Sequence, residues 1–138
     1  MSGGIKVMIV EDDDAVRDGL HILIDGSDGY ECIAACPTAE EALSIIPQNF
    51  PQVVLMDINL PGMNGIECVV GIKNMWPEIQ VMMLTVFVNT EEIFKSLTAG
   101  ATGYLLKKTQ PAKLLEAITE LVNGGSPMSG EIARKVVQ

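Results

Sequence analysis

The stretch VVLMDINLPGMNG, residues 53–65, is the key to the architecture. Four apolar residues, 53–56, run straight into Asp57, and turn chemistry comes at once in Asn59, Pro61-Gly62 and Asn64-Gly65. A short continuous apolar run closed by such residues predicts a buried strand that ends in a loop. Asp57 then stands where a buried strand meets solvent. It is either an incidental surface carboxylate or the reacting group of a site.

The same grammar repeats on both sides of it. Residues 5–10 (IKVMIV) are apolar and β-branched and lead into the acidic run 11–14. Helical spacing comes next in Val16, Leu20, Leu23 and Ile24, with Asp13 or Asp14 as the cap and the glycines at 26 and 29 closing the helix. Residues 30–35 (YECIAA) predict a weaker strand suited to an edge. Thr38 and Glu41 have capping-box spacing before the stripe Ala39, Ala42, Leu43 and Ile46. Beyond the opening stretch, Ile66, Val69 and Val70 begin a helical face that runs to about Met75. Residues 79–84 (IQVMML) predict a fourth strand ending at Thr85. Residues 90–99 read as a helix with Ile93 and Leu97 inward, stopped by Gly100. Residues 103–106 (GYLL) predict a short fifth strand ending at Lys107. Pro111 suits the first turn of a final long helix, where Leu114, Ala117, Ile118 and Leu121 share a face.

Five strands alternating with five helices predict an α/β fold, a doubly wound five-stranded parallel sheet with helices on both faces. Right-handed crossovers leave few arrangements, of which the flavodoxin-like order 2-1-3-4-5 is preferred. Residues 1–4 are expected to form a disordered tail, residues 5–123 the domain, and residues 124–138 a linker with a small helix from about Glu131.

Bulk properties exclude several classes. With 138 residues, 48% hydrophobic and 20% charged, the chain is long enough to bury a core without staples. No apolar run approaches the roughly 18 residues of a membrane span, and the first residues lack signal-peptide character, so a cytoplasmic location is expected. A net charge of −9 opposes direct contact with nucleic-acid phosphates. Cys32, Cys36 and Cys68 read as free, packed thiols, and the eight methionines as core filler. His21 reads as a surface or packing residue and Trp76 as a loop anchor.

Function resides in the polar residues just past the apolar runs. The first strand leads to Glu11 and Asp12, the third to Asp57, the fourth to Thr85 and the fifth to Lys107, while the second leads only to Cys36-Pro37. Open α/β sheets bind ligands outside the carboxyl ends of their strands, at the switch point between the first and third strands. Singly, an acidic run is a solvated cap, and Asp57 a turn residue. Together these residues converge on one crevice. Three carboxylates and one lysine call for a hard divalent cation, and Mg2+ takes oxygen ligands such as Glu11, Asp12, Asp57 and the backbone carbonyl of Asn59. A carboxylate, a cation, a hydroxyl and an ammonium are also the parts of a phosphoryl acceptor. Asp57 would attack phosphorus, with Lys107 and Thr85 stabilising the transferring group.

The segments IVEDD, VVLMDINLPGMNGIE, MLT and AGATGYLLKK resemble those of two-component response-regulator receiver domains, over about residues 5–123. The resemblance implies that Asp57 is the phosphoacceptor and that Glu11 and Asp12 are the acidic pair, Asp12 the more direct magnesium ligand. Thr85 and Lys107 take the hydroxyl and lysine roles, and Tyr104 that of a switch aromatic. GYLLKKTQPAKLLEAI, succeeded by GGSPMS and EIARKVV, is similar to the NarL/FixJ group, whose members carry a LuxR-type helix-turn-helix output domain. The expected partners are a sensor histidine kinase and, in a homodimer, a second copy. DNA would be reached only through an output domain beyond Gln138, and a natural single-domain regulator is the alternative.

Two positions depart from the family. Lys108 comes after Lys107 where many receivers have proline, so a trans peptide is expected. Val86 comes after Thr85 in place of a small residue, which bears on phosphoryl access and lifetime, as do Asn59 and Phe87. The implied mechanism draws Thr85 toward the phosphoryl group and lets Tyr104 turn inward, remodelling the fourth helix around Phe94 and Lys95. A haloacid-dehalogenase-like phosphatase uses the same groups, but its nucleophile ends the first strand and a second Asp stands where this chain has Asn59. A flavodoxin-like binding module is opposed by the acidic first loop, which repels a flavin phosphate.

Overall fold

The computed structural model describes residues 4–137. Five strands, β1 (Ile5–Val10), β2 (Tyr30–Cys36), β3 (Val53–Asp57), β4 (Gln80–Thr85) and β5 (Gly103–Leu106), alternate with five helices. These are α1 (Asp14–Asp25), α2 (Ala39–Ile45), α3 (Gly65–Met75), α4 (Thr90–Ala99) and α5 (Pro111–Val122), with α6 (Gly130–Val137) after them. The sheet order is β2-β1-β3-β4-β5 and every pairing is parallel, as expected. All five residues of β3 are buried, because the period of two sends Val53 and Leu55 into one layer and Val54 and Met56 into the other. The first layer packs against α1 and α5, through Ile24, Leu114, Ile118 and Leu121. The second packs against the remaining helices, through Ala42, Val69, Ile72, Ile93 and Ile132.

Local chemistry sets the helix ends. Asp13 caps α1 by accepting from Val16 N–H at 3.1 Å. Thr38 accepts from Glu41 N–H, but the reciprocal pair of a full capping box forms instead at Asn64 and Glu67, at the start of α3. Pro111 lies in the first turn of α5. The three cysteines are free, and burial pushes their thiols up to about 11 for Cys32, about 11 for Cys36 and about 12 for Cys68. No peptide bond among the described residues is cis. His21 is exposed, and Trp76 packs partly buried against the core at the end of α3.

At both ends of the domain the described residues pack against the sheet. The expected tail, residues 1–4, lies outside the described residues except for Gly4, which packs beside β2. A Cβ on Gly4 would come within 2.8 Å of Tyr30 N, and Ile5 N–H donates to Gly29 C=O beside it. The segment expected as a linker, from residue 124, forms its small helix as α6 and packs against the domain. Its residues 127–129 pair with β5 through a parallel bridge between Met128 and Tyr104, and Ile132 of α6 is fully buried in the core. Apolar burial of Ile132 and main-chain bonding to an open sheet edge outweigh the loop-like composition that suggested a linker.

Candidate phosphoryl and metal site

Register explains how the site forms. Val10 lies level with Met56, so Glu11 falls beside Asp57, and Asp57 lies level with Leu84, one residue before Thr85. Thr85 lies level with Leu106, one before Lys107, and Lys107 N–H donates to Thr85 C=O at 2.8 Å. Four strands thus bring Glu11, Asp12, Asp57, Thr85 and Lys107 to their carboxyl ends, beside the β1–β3 switch point.

The carboxylates are held apart in character. Glu11 is 1% exposed; its Oε2 accepts from Asp13 N–H at 3.1 Å, and its Oε1 lies 2.7 Å from Lys107 Nζ. Asp57 is 5% exposed, with Oδ1 3.2 Å from the same ammonium and 3.4 Å from Asn59 N. Asp12 is exposed. Burial and then the charge of Glu11 raise the Asp57 carboxyl to about 6, against the opposing pull of Lys107. For Lys107, burial alone would depress the ammonium, but its bond to Glu11 and the charge of Asp57 outweigh that and raise it.

One lysine between two buried carboxylates, with a third carboxylate alongside, leaves the cluster short of positive charge. Ligand oxygens of Glu11, Asp12 and Asp57 all lie within 4.8 Å of one another, and a hard, oxygen-seeking cation suits that donor set. Asn59 is exposed at the start of the loop. The Thr85 hydroxyl, 2% exposed as a residue, donates to Phe87 C=O at 3.1 Å and so stays within its own loop. Val86 and Phe87 flank it, 63% and 72% exposed. Tyr104 is fully buried here, in a cluster with Ile93 and Ile132. Burial, then the charge of Glu92, pushes its hydroxyl up to about 12.

The family model for the response regulator receiver domain matches residues 7–119. The chain belongs to the response regulator receiver family. This receiver domain is 30% identical over its whole length to a nitrate/nitrite response regulator protein homolog of Haemophilus influenzae, covering 66% of that protein. It is 33% identical to the transcriptional regulatory protein LnrK of Bacillus subtilis over 96% of this chain and 60% of that one. The crystal structure of a LuxR-family two-component response regulator from Aurantimonas superposes with a TM-score of 0.91 at 32% identity, covering 97% of this chain and 96% of that one. The chain therefore spans about two thirds or less of the length of these two curated relatives. Neither the family match nor the topology, with its acidic acceptor candidate on β3, supports a haloacid-dehalogenase-like phosphatase.

Several residues that shape the site carry little signal in the sequence. Arg17 donates to Glu11 C=O at 2.9 Å and pairs with Asp14, tethering the acidic loop by its main chain. Glu40 of α2 accepts from Met63 N–H at 3.0 Å and holds the loop after β3 from the far side. Gly65 packs so closely that a Cβ would fall 2.1 Å from Asp57 O. Arg17 lies one helical turn after the acidic run, and that spacing was a usable signal. Glu40 and Gly65 act across the fold and offered none.

Proposed function

We propose that this receiver is a phosphorylation switch in which Asp57 accepts a phosphoryl group from a sensor histidine kinase. In the transfer, an Asp57 oxygen forms a bond to phosphorus as the P–N bond of the donor phosphohistidine breaks, and the imidazole nitrogen keeps the electron pair. The observation that carries this reading is the convergence of a buried, lysine-paired aspartate with two further acids and a buried threonine at adjacent strand ends.

Each side chain has a part. Lys107 bridges Glu11 and Asp57 and is placed to follow the charge onto a transferred phosphoryl group. Asp12, Asp57 and Glu11, with the Asn59 carbonyl, would hold Mg2+, which when bound supplies positive charge opposite the phosphoryl oxygens. Thr85 exchanges its weak bond to Phe87 C=O for a phosphoryl oxygen. Val86 and Phe87, standing exposed at the mouth, govern water access and therefore the lifetime of the acyl phosphate. Transfer from a small phosphodonor without the kinase belongs to the same chemistry.

In the whole protein, the phosphorylated receiver controls a LuxR-type DNA-binding output, and pairing of two copies is part of that reading. Its location is cytoplasmic; among the described residues no helix is long and apolar enough to cross a membrane. The test is intact-mass spectrometry after incubation with acetyl phosphate and magnesium. The native chain gains one phosphoryl group and Asp57→Asn gains none. Equal labelling of both proteins overturns the assignment.

A further inference from the structure

β2 ends in Cys36, with Pro37 after it, so it alone among the strands brings no charged or hydroxyl group to the Asp57 site. The helix after it does reach that neighbourhood. Ala39 and Ala42 of α2 are fully buried and seat the helix in the layer that also holds Val69 and Ile72 of α3. Glu40, exposed in the first turn beside them, turns to the loop after β3. Its Oε2 accepts from Met63 N–H at 3.0 Å. That bond holds the Glu40 carboxyl below the usual carboxylate range, so it is the ionised form that makes it.

The loop so gripped has few other supports. Near its start, Asn59 N–H reaches Asp57 Oδ1 only at 3.4 Å, and Leu60 N–H donates to Ile58 C=O at 3.2 Å. Its far end is fixed by Asn64, which caps α3, and by Gly65 N–H, which donates to Ile58 C=O at 2.9 Å. Between them, Glu40 takes the main-chain bond of Met63, while the Leu60 and Met63 side chains pack toward the core. Gly62 makes the grip possible. Its φ of +71° suits glycine, and a Cβ there would fall 2.8 Å from Glu40 Oε2. A side chain at position 62 would therefore push the carboxylate off Met63 N–H.

We propose that Glu40 is a positioning residue for cation binding at the Asp57 site. By holding Met63 N–H across Gly62, it fixes the path of the loop from Ile58 to Asn64, and with it the Asn59 carbonyl. This rests on the reading of Asp12, Asp57 and the Asn59 carbonyl as magnesium ligands. Glu40 is not one of the clustered acids Glu11, Asp12 and Asp57, and it acts on their cation only through the loop. Magnesium demands a near-octahedral set of oxygens, so it binds best where its ligands already stand in place. A loop left free must be ordered as the cation binds, and that entropy is subtracted from affinity. The Glu40 bond orders it beforehand. The effect belongs to the magnesium step, so more magnesium restores the rate of phosphoryl gain when the bond is lost.

The test is calorimetry of the full chain with magnesium alone, beside urea midpoints and phosphoryl gain from acetyl phosphate at graded magnesium. Glu40→Ala weakens magnesium binding several-fold, short of the roughly tenfold or more expected for a direct partner of a metal ligand. It raises the magnesium needed for half-maximal phosphoryl gain by the same factor and leaves the rate at saturating magnesium unchanged. Glu40→Gln keeps an acceptor oxygen at the same reach and restores native affinity, whereas Glu40→Asp, shorter by a methylene, does not. Gly62→Ala weakens binding in the native chain and does so less in the Glu40→Ala background, where the collision is gone. Equal magnesium affinity in the native chain and Glu40→Ala, with only a lower urea midpoint, makes the bond merely structural. That result overturns the proposal and leaves the Asp57 reading standing. Glu40→Gln as weak as Glu40→Ala, or additive effects of the Glu40 and Gly62 substitutions, overturns it too. If the native chain binds no magnesium, or Asp12→Asn binds it equally well, the ligand reading fails and the role of Glu40 falls with it.

Discussion

Asp57 is costly to ionise in this fold. Its carboxyl is raised from 3.8 to about 6 by burial and by Glu11, so the folded chain binds a proton more readily than the unfolded chain between those values. The contribution is therefore fully present below about pH 4 and is lost as pH rises through about 6. In metal-free buffer, the Asp57 part of the unfolding free energy falls over that window by an amount on the order of 2 kcal/mol. Asp57→Asn removes it, and urea titrations at pH 4 and pH 7 read the difference. Saturating magnesium should flatten the native profile, because a bound cation favours the ionised carboxylate. Nearby, Arg17 separates position from charge. Arg17→Lys keeps the cation but loses the planar fork that reaches Glu11 C=O while pairing with Asp14. Calorimetry should show magnesium binding weakened several-fold, on the order of 1 kcal/mol. If Arg17 acted only through its charge, Arg17→Lys would bind as the native chain does.

Among the elements, the β3–α3 junction does the positioning. The capping box of Asn64 and Glu67 starts α3 immediately after the loop, and Gly65 N–H donates to Ile58 C=O at 2.9 Å. Asn64→Ala removes a cap and should cost about 1 kcal/mol with little effect on phosphorylation. Gly65→Ala drives a methyl group into the Asp57 carbonyl, 2.1 Å away, so the backbone must move. It should cost about 2 kcal/mol or more and also slow phosphoryl gain from acetyl phosphate. Denaturant midpoints and intact mass separate the two effects. The helix boundaries themselves were legible, since apolar spacing and turn residues mark them. The main difference lay at the end of the chain, where Ser126-Pro127 and the glycines before it read as a linker. Pairing with an open β5 edge is a property of the sheet, not of those residues.

Across the whole molecule, charge and topology together limit what the receiver does. The net charge of −9 leaves no electrostatic basis for holding DNA, so this chain should not shift a duplex in a gel at physiological salt. The surplus of carboxylates at the strand ends should couple metal binding to global stability. Magnesium at about 100 times its dissociation constant should add about 2.7 kcal/mol to unfolding. A thermal melt reads this as a higher midpoint in the native chain, largely absent in Asp12→Asn. An equal rise in both proteins would place the cation elsewhere.

Sheet order and the polar residues after the first, third, fourth and fifth strands were legible in the amino-acid order, because periodicity and punctuation along a continuous chain dictate them. Asp57, Glu11, Asp12, Thr85 and Lys107 were legible as one set too, since parallel topology sends every strand end to the same side. Folding in three dimensions was needed to show that Lys107 bridges Glu11 and Asp57, that Glu40 and Gly65 fix the acceptor loop, and that the chain from Pro127 onward closes the β5 edge over Tyr104. Those contacts join residues far apart in the chain. Their strength depends on burial and on which backbone groups the sheet leaves unpaired, and neither is written in local pattern.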